Sequence, residues 1–298
     1  MKPNLSIITC IFFLSLFITF GQKNKTKKSK SIQEVSLDAF KLRNVGPAFL
    51  SGRIADIKIH PLNKNIWYVA VGSGGVWKTE NAGTTWEPIF DDETSYSTGC
   101  VTIDPINPDI IWVGTGENVG GRHVGYGDGI YKSLNGGKTW ENMGLFNSEH
   151  ISEIIVHPDD SNVVWVAAQG PLWTKGGDRG LYKTIDGGKT WKKTLGNSKW
   201  TGVTDIMLDP RDSDVIYAAT WDRHRTVAAL IDGGPGTAIY RSDNGGESWS
   251  VLKSGLPNNP DSNDDGVVDD DDSPTKNMGK IGLAISPQNP DVVYAAIE

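Results

Sequence analysis

A twelve-residue acidic run has the residue types and spacing of a calcium loop. Residues 261–272 carry oxygen-bearing side chains at steps 1, 3, 5, 9 and 12, and Gly266 allows a sharp bend. Hard cations such as Ca²⁺ bind carboxylate and carbonyl oxygens in this pattern. We predict a structural calcium site with the ligands Asp261, Asn263, Asp265, the Val267 carbonyl, Asp269 and Asp272. The alternative is a solvated acidic linker between Pro260 and Pro274.

Three other carboxylates, Glu117, Asp128 and Asp222, lie in polar segments between apolar runs. Glycoside hydrolysis requires two carboxyl groups that face each other across a sugar, roughly 5 to 10 Å apart. These three residues are the catalytic candidates, although the sequence does not place them relative to one another. The chain has no Gly-x-Ser-x-Gly elbow and no Walker-type loop, which argues against esterase and NTPase chemistry.

The same segments contain cations, imidazoles and aromatic rings suited to a sugar or a peptide carboxylate. Aromatic rings stack on ligands, and guanidinium groups bind carboxylates through paired hydrogen bonds. The ligand-binding candidates are Arg122, His123, Trp173, Arg179, Trp221, Arg223, His224 and Arg225. In the alternative reading, Arg and Asp of adjacent loops pair with each other and tie the structure together.

The motif [ST]-x-[DN]-x-G-x-x-W occurs four times, with its tryptophans 54, 51 and 58 residues apart. Hydroxyl and Asx side chains bond backbone amides in tight turns, and glycine tolerates positive φ. Because three of the four Asx positions are Asn, which cannot exchange a proton, we assign the motif a structural role. Its residues are Thr79, Asn81, Gly83 and Trp86; Ser133, Asn135, Gly137 and Trp140; Thr184, Asp186, Gly188 and Trp191; and Ser242, Asn244, Gly246 and Trp249.

A second repeat precedes each motif: an apolar run ends in a proline, and another run with an aromatic residue follows. Helical periodicity is absent between these landmarks. A period near fifty residues suits one four-stranded propeller blade. We predict an all-β propeller over residues 39–298 with four full blades and the start of a fifth, incomplete at the C-terminus, and an acidic insertion at 256–279. The proline turns and the repeated motifs then share one face, and the polar loops share the other.

The ends and the composition indicate export. Lys2 precedes an apolar run from Ile7 to Phe20, typical of a signal peptide (1–21) and too short to cross a bilayer comfortably. A basic leader (22–38) follows. Residues 31–298 hold 23 Lys and Arg against 36 acids, which argues against a nucleic-acid partner. After removal of the signal only Cys100 remains, so no internal disulfide is expected, and we read this thiol as a buried small hydrophobe.

The repeated motifs, with the preceding pairs Trp77-Lys78, Tyr131-Lys132, Tyr182-Lys183 and Tyr240-Arg241, resemble the BNR or Asp-box propellers. Within that group the chain is similar to the sortilin/VPS10-like and xyloglucanase-like proteins often labelled glycosyl hydrolases. The resemblance implies an acidic residue two positions before the first-blade Gly-Gly in xyloglucan-cleaving members, where this chain has Gly72. It implies Arg-Ile-Pro in sialidases of the same fold, where this chain has Arg53-Ile54-Ala55.

Because fold does not determine activity, two functional classes stay open. The first expectation is a secreted (extracellular or periplasmic) module that binds a glycan or a peptide on its polar loop face, as a binding or scaffold protein without stable membrane insertion. The alternative is a glycoside hydrolase acting on a polysaccharide with two carboxylates, one of which we expect could lie beyond residue 298. Ligand identity, catalysis and oligomeric state are not determined by the sequence.

Overall fold

The computed structural model describes residues 52–122, 124–196, 198–257 and 277–298. The predicted signal peptide, the basic leader, His123 and the calcium loop lie outside these ranges. Every regular element of the described residues is a strand. None of these residues forms a helix with the length and apolar character needed to span a bilayer.

The strands form successive antiparallel sheets in which sequence neighbours pair. The first sheet contains β1 (Ile54–Ile59), β2 (Trp67–Val71), β3 (Gly75–Thr79) and β4 (Glu87–Pro88). The second contains β5 (Thr98–Ile103), β6 (Ile111–Thr115), β7 (Ile130–Ser133) and β8 (Glu141–Asn142). The third contains β9 (Ile151–His157), β10 (Asp160–Ala168), β11 (Gly180–Thr184) and β12 (Lys192–Leu195).

The fourth sheet contains β13 (Thr201–Asp209), β14 (Asp212–Arg225), β16 (Ile239–Ser242) and β17 (Ser250–Leu252). A short strand, β15 (Leu230–Asp232), pairs with the far end of β14. A two-stranded sheet follows, with β18 (Ile281–Ile285) and β19 (Val293–Ile297). The first strands of consecutive sheets contact one another. Four-stranded antiparallel meanders arranged in this way have the construction of β-propeller blades.

Within the described residues, four hydrophobic cores are each shared by two consecutive sheets, and a smaller one lies within the first sheet. Along β6, Trp112 packs into the core toward the third sheet, whereas Ile111 and Val113 pack into the core toward the first. Along β10, Trp165 and Val166 likewise face opposite neighbours. Alternate side chains of a strand point to opposite faces of its sheet. Residues 111–113 of β6 and 163–168 of β10 are therefore all apolar, because both faces of these strands are covered.

The four Asp boxes adopt one geometry. In each, the Ser or Thr hydroxyl donates to the Asx side-chain oxygen two residues later at 2.7–3.0 Å. The same hydroxyl accepts the glycine N–H four residues later at 2.9–3.0 Å. The Asx oxygen accepts a second backbone N–H at 2.8–2.9 Å. All four glycines (Gly83, Gly137, Gly188 and Gly246) have φ between 83° and 96°, the region that disfavours other residues.

The box tryptophans link blades in two of the four repeats. Trp140 Nε1 donates to the Ile89 carbonyl of the first sheet at 2.6 Å, and Trp191 Nε1 donates to the corresponding Met143 carbonyl of the second sheet at 2.8 Å. Trp249 differs, since its Nε1 donates to Gly246 of its own box at 3.1 Å. Its ring nevertheless packs against the core shared by the third and fourth sheets.

Candidate functional site

Two faces of the molecule follow from the strand order. One face carries the Asp boxes and the turns between the first and second strands of each sheet. These are joined within each sheet by backbone bonds such as Gly136 N–H to Asp109 O at 2.8 Å. The other face, called the loop face here, carries the remaining connections. Its described segments are 72–74, 89–97, 116–122, 124–129, 143–150, 169–179, 196, 198–200 and 226–238.

Glu117 lies on the loop face between the first and second sheets, with its side chain only 2% exposed. Its Oε2 accepts from Arg53 Nη2 at 2.6 Å and from the Gly125 N–H at 3.2 Å, and its Oε1 accepts from the Ser73 hydroxyl at 3.4 Å. A Cβ built on Gly72 would lie 2.4 Å from Glu117 Oε1. Glu117 therefore occupies the volume beside the position where the resemblance implies an acid.

The other two carboxylate candidates are half-buried and lie in separate networks. Asp128 accepts from the Tyr131 hydroxyl at 2.9 Å and from the Thr94 hydroxyl. Asp222 accepts from the Gly236 N–H at 2.8 Å and from the Thr201 hydroxyl. Within the described residues, no hydrogen-bond partner is shared between any two of the three candidates. Each candidate is therefore held by its own set of neighbours, and the pairing of two of them for hydrolysis stays a prediction.

Several of the predicted ligand-binding cations bond to backbone carbonyls. Arg179 is fully buried and donates to the carbonyls of Gly176, Trp200, Pro171 and Thr174 at 2.6–3.0 Å. This network holds the 169–179 loop in shape. Arg122 is exposed and donates to the Val227 carbonyl at 3.1 Å. Arg223 and Arg225 donate to the loop that begins at Glu117.

The aromatic candidates divide into buried and exposed rings. Trp221 is buried, while His224 stacks on Trp200 with ring centroids 4.2 Å apart. Trp173 is exposed, and three aromatic residues absent from the predicted set accompany it on the loop face. The four rings, between 49% and 72% exposed, are Tyr96, Tyr126, Phe146 and Trp173. Exposed aliphatic residues lie on both faces, namely Leu62, Ile106, Leu134 and Ile185 on the opposite face and Val227 and Ile231 on the loop face.

A cavity of about 780 Å³ with a mixed polar and apolar lining lies on the Asp-box side, among the ends of the first strands. Its lining includes Lys58, Glu153 and Arg211. Burial raises the pKa of Glu153 to about 7, opposed by the Lys58 charge and reinforced by Asp56 and Asp205. Sequence reasoning missed this group. Its signal is positional: Asp56, Glu153 and Asp205 each follow a one-residue bulge in the first strand of their sheet.

No group of three or more His, Cys, Asp or Glu side chains in the described part of the chain is arranged to hold a metal ion. The calcium loop at 261–272 lies outside that part and stays a prediction. Cys100 is buried and forms no disulfide. Burial raises the pKa of its thiol well above the usual range, so this group packs as a small hydrophobe.

Residues 128–273 match the model of the Sortilin-Vps10 family, described as sortilin, neurotensin receptor 3. An oligoxyloglucan-reducing end-specific xyloglucanase of Emericella nidulans is 24% identical over 253 residues, which cover 76% of this chain and 28% of that protein. A xyloglucanase of a Paenibacillus species is 24% identical over 237 residues, covering 70% and 22%. The chain thus spans about a quarter of the length of these curated relatives.

Two solved structures share the fold. The GH74 xyloglucanase from Xanthomonas campestris matches 80% of this chain and 34% of its own, with a TM-score of 0.53 and 18% identity. An ancestral GH74 enzyme matches 70% and 26%, with a TM-score of 0.53 and 19% identity. Sheets and boxes together define an all-β protein of the Asp-box propeller class. Within this class the chain is similar to sortilin-type and xyloglucanase-type proteins, and the resemblance drawn from the sequence motifs is confirmed.

Proposed function

We propose that this protein acts on a polysaccharide as a glycoside hydrolase of the Asp-box propeller class, and that its loop face contacts the glycan. The first expectation, a binding or scaffold module without turnover, is less well supported, because the curated relatives are named as xyloglucanases. We also propose that the chain forms four full blades followed by strands of a fifth. We further propose that the protein is exported to the extracellular space or the periplasm.

The observation that carries the proposal is the distribution of exposed aromatic rings. Tyr96, Tyr126, Phe146 and Trp173 lie on loops of the first three sheets, all on the loop face. Aromatic faces stack on the apolar C–H faces of sugar rings, and loops held by rigid strands are the usual place for such contacts. The opposite face offers aliphatic side chains, which lack a flat stacking surface.

For hydrolysis we assign Glu117 as one candidate carboxyl group. Arg53 orients it, and the absence of a side chain at Gly72 leaves the volume that its carboxylate fills. Its 2% exposure means that the 117–125 segment must shift before the group reaches a substrate. The second carboxyl group must lie roughly 5 to 10 Å from that of Glu117, the separation that glycosidases use.

Hydrolysis of a panel of neutral and acidic polysaccharides by the full-length protein tests this proposal. We expect reducing ends to be released, a loss of about 100-fold or more with Glu117→Gln, and weaker binding with Trp173→Ala or Tyr126→Ala. Asp243→Asn and Ile185→Ala, on the Asp-box side, are matched controls and should retain activity. Saturable glycan binding without product would support the scaffold function instead. A protein that neither binds nor cleaves any glycan of the panel would contradict both functions.

A further inference from the structure

One segment of the loop face bridges several sheets. Residues 117–122, called the strap here, leave the second sheet and place three consecutive carbonyls against the later sheets. The Asn118 carbonyl accepts from Lys280 Nζ at 2.7 Å, and the Val119 carbonyl accepts from Arg223 at 3.3 Å. The Gly120 carbonyl accepts from Arg225 at 3.1 Å. Three cations therefore converge beneath a neutral stretch of backbone.

These cations lack carboxylate partners. Among the ion pairs of the described residues, none within 4 Å involves Arg223, Arg225 or Lys280. Burial, together with the Arg179 charge, lowers the pKa of Arg223 to about 10. Asp232 faces Arg223 across the β14–β15 pair, and its Oδ1 is buried without a partner among the described residues. The charges of Asp232 and Glu149 act on Arg223, and those of Asp205, Asp232 and Glu298 act on Lys280, but none of these acids forms a close ion pair with the cluster.

The same cluster contains buried N–H donors without acceptors. Arg223 Nη2, Arg225 Nε and Trp221 Nε1 have no partner among the described residues, although Arg223 and Trp221 are each only 2% exposed. The Trp221 ring lies between two cations, 5.0 Å from the Arg223 guanidinium and 5.5 Å from Lys280 Nζ. Unsatisfied buried donors are costly, and such exceptions require an explanation.

We propose that the cluster of Trp221, Arg223, Arg225 and Lys280 binds an oxyanion of an acidic glycan, either the carboxylate of a uronic acid or a sulfate ester. A charged oxygen is a stronger acceptor for guanidinium groups than a neutral carbonyl, so the anion displaces the strap carbonyls. The unpartnered donors supply the additional bonds. This inference rests on the proposed function and names its substrate class.

A glycan is favoured over other anions by the surroundings of the cluster. The Arg225 N–H donates to the Leu172 carbonyl at 2.8 Å, which places the exposed Trp173 next along the chain. Arg122 at the outer end of the strap is exposed. A sugar ring stacked on Trp173 would have cations within reach of its acidic substituent, the arrangement expected for an anionic polysaccharide.

Calorimetric titration of the full-length protein with polygalacturonate, a sulfated galactan and neutral xyloglucan tests the inference. We expect at least one acidic polymer to bind at least tenfold more tightly than xyloglucan, with an affinity that falls as salt rises. Arg225→Gln and Lys280→Gln should each remove most of that preference. Arg241→Gln, an exposed cation on the Asp-box side, is the matched control. The uronate and sulfate arms identify the anion.

The outcomes separate this inference from the proposed function. Equal affinity for acidic and neutral glycans, or an acidic preference untouched by both variants, overturns the oxyanion site and leaves the glycan function standing. Binding of carboxylate-ended peptides with no glycan binding overturns both. Thermal unfolding of each variant verifies folding, and Lys280→Gln alone decides the question if Arg225→Gln does not fold.

Discussion

Gly72 and Glu117 come from neighbouring sheets and share one volume. Any side chain at position 72 would meet the Glu117 carboxylate, whose oxygens are held by Arg53, Ser73 and the Gly125 N–H. The sequence alone shows only that the acid implied by the resemblance is absent at position 72. The structure adds that an acid from the next sheet fills the adjacent space. This is the strongest reason to test Glu117 before Asp128 or Asp222.

Glu153 gives the fold a pH dependence that can be measured. Its folded-state pKa of about 7 lies above the ordinary value of 4.5, because burial disfavours the carboxylate. Folding therefore favours the protonated acid, and the stability this group contributes is full below pH 4.5 and is lost as the pH rises through 7. We expect Glu153→Gln to stabilise the protein at pH 8 by on the order of 2 kcal/mol relative to its effect at pH 5.

Urea unfolding at the two pH values measures this difference, with the exposed Glu141→Gln as control. The neutral amide keeps the size of the side chain but cannot ionise, so the variant should lose the fall in stability between pH 5 and pH 8. If Glu153→Gln and Glu141→Gln show the same change in stability between pH 5 and pH 8, Glu153 ionises in the folded protein without cost, and the raised pKa is contradicted.

At the scale of elements, the Asp box stabilises the protein as a turn. Ser133 is buried, and its hydroxyl accepts the buried Gly137 N–H at 2.9 Å while donating to Asn135. We expect Ser133→Ala to lower the free energy of unfolding by roughly 1–3 kcal/mol, because a buried donor loses its acceptor. Leu134→Ala, at an exposed position of the same box, should cost much less. Chemical denaturation compares the two; equal losses would contradict the turn mechanism.

The strands, the boxes and the two faces follow from the sequence because they depend on local periodicity. The apolar run ending at Pro105, for example, fixes β5, and Ser133 to Trp140 fixes the turn between β7 and β8. The functional site could not be predicted from the sequence in this way, because its contacts join loops that are far apart along the chain. Arg223 donates to the Val119 carbonyl, 104 residues away in the sequence. Because every residue has a backbone carbonyl, the sequence does not show which one accepts such a bond. Sequence reasoning found Trp173 but missed Tyr96, Tyr126 and Phe146, because a polar loop pattern does not distinguish exposed from buried aromatics.

At the scale of the whole molecule, stability depends on contact between consecutive sheets. Trp112 belongs to the second sheet, is fully buried, and packs in one core with Ile151 and Val164 of the third. Its ring meets the edge of Trp191, the box tryptophan of the third sheet, at a centroid distance of 6.3 Å. A sheet that buries its faces only against neighbours behaves as one unit of a repeat array, in which interface terms dominate.

We expect Trp112→Ala to lower the free energy of unfolding by about 3–5 kcal/mol and to destabilise both the second and the third sheet. Native-state hydrogen exchange should show amide protection falling in β5–β8 and β9–β12 together, while β13, β14, β16 and β17 are less affected, because their core begins at Trp165 on the far side of the third sheet. Trp173→Ala, which removes an equally large but half-exposed ring, should leave protection unchanged. Loss confined to β5–β8 would mean that each sheet is stable on its own, and the shared-core account of this fold would fail.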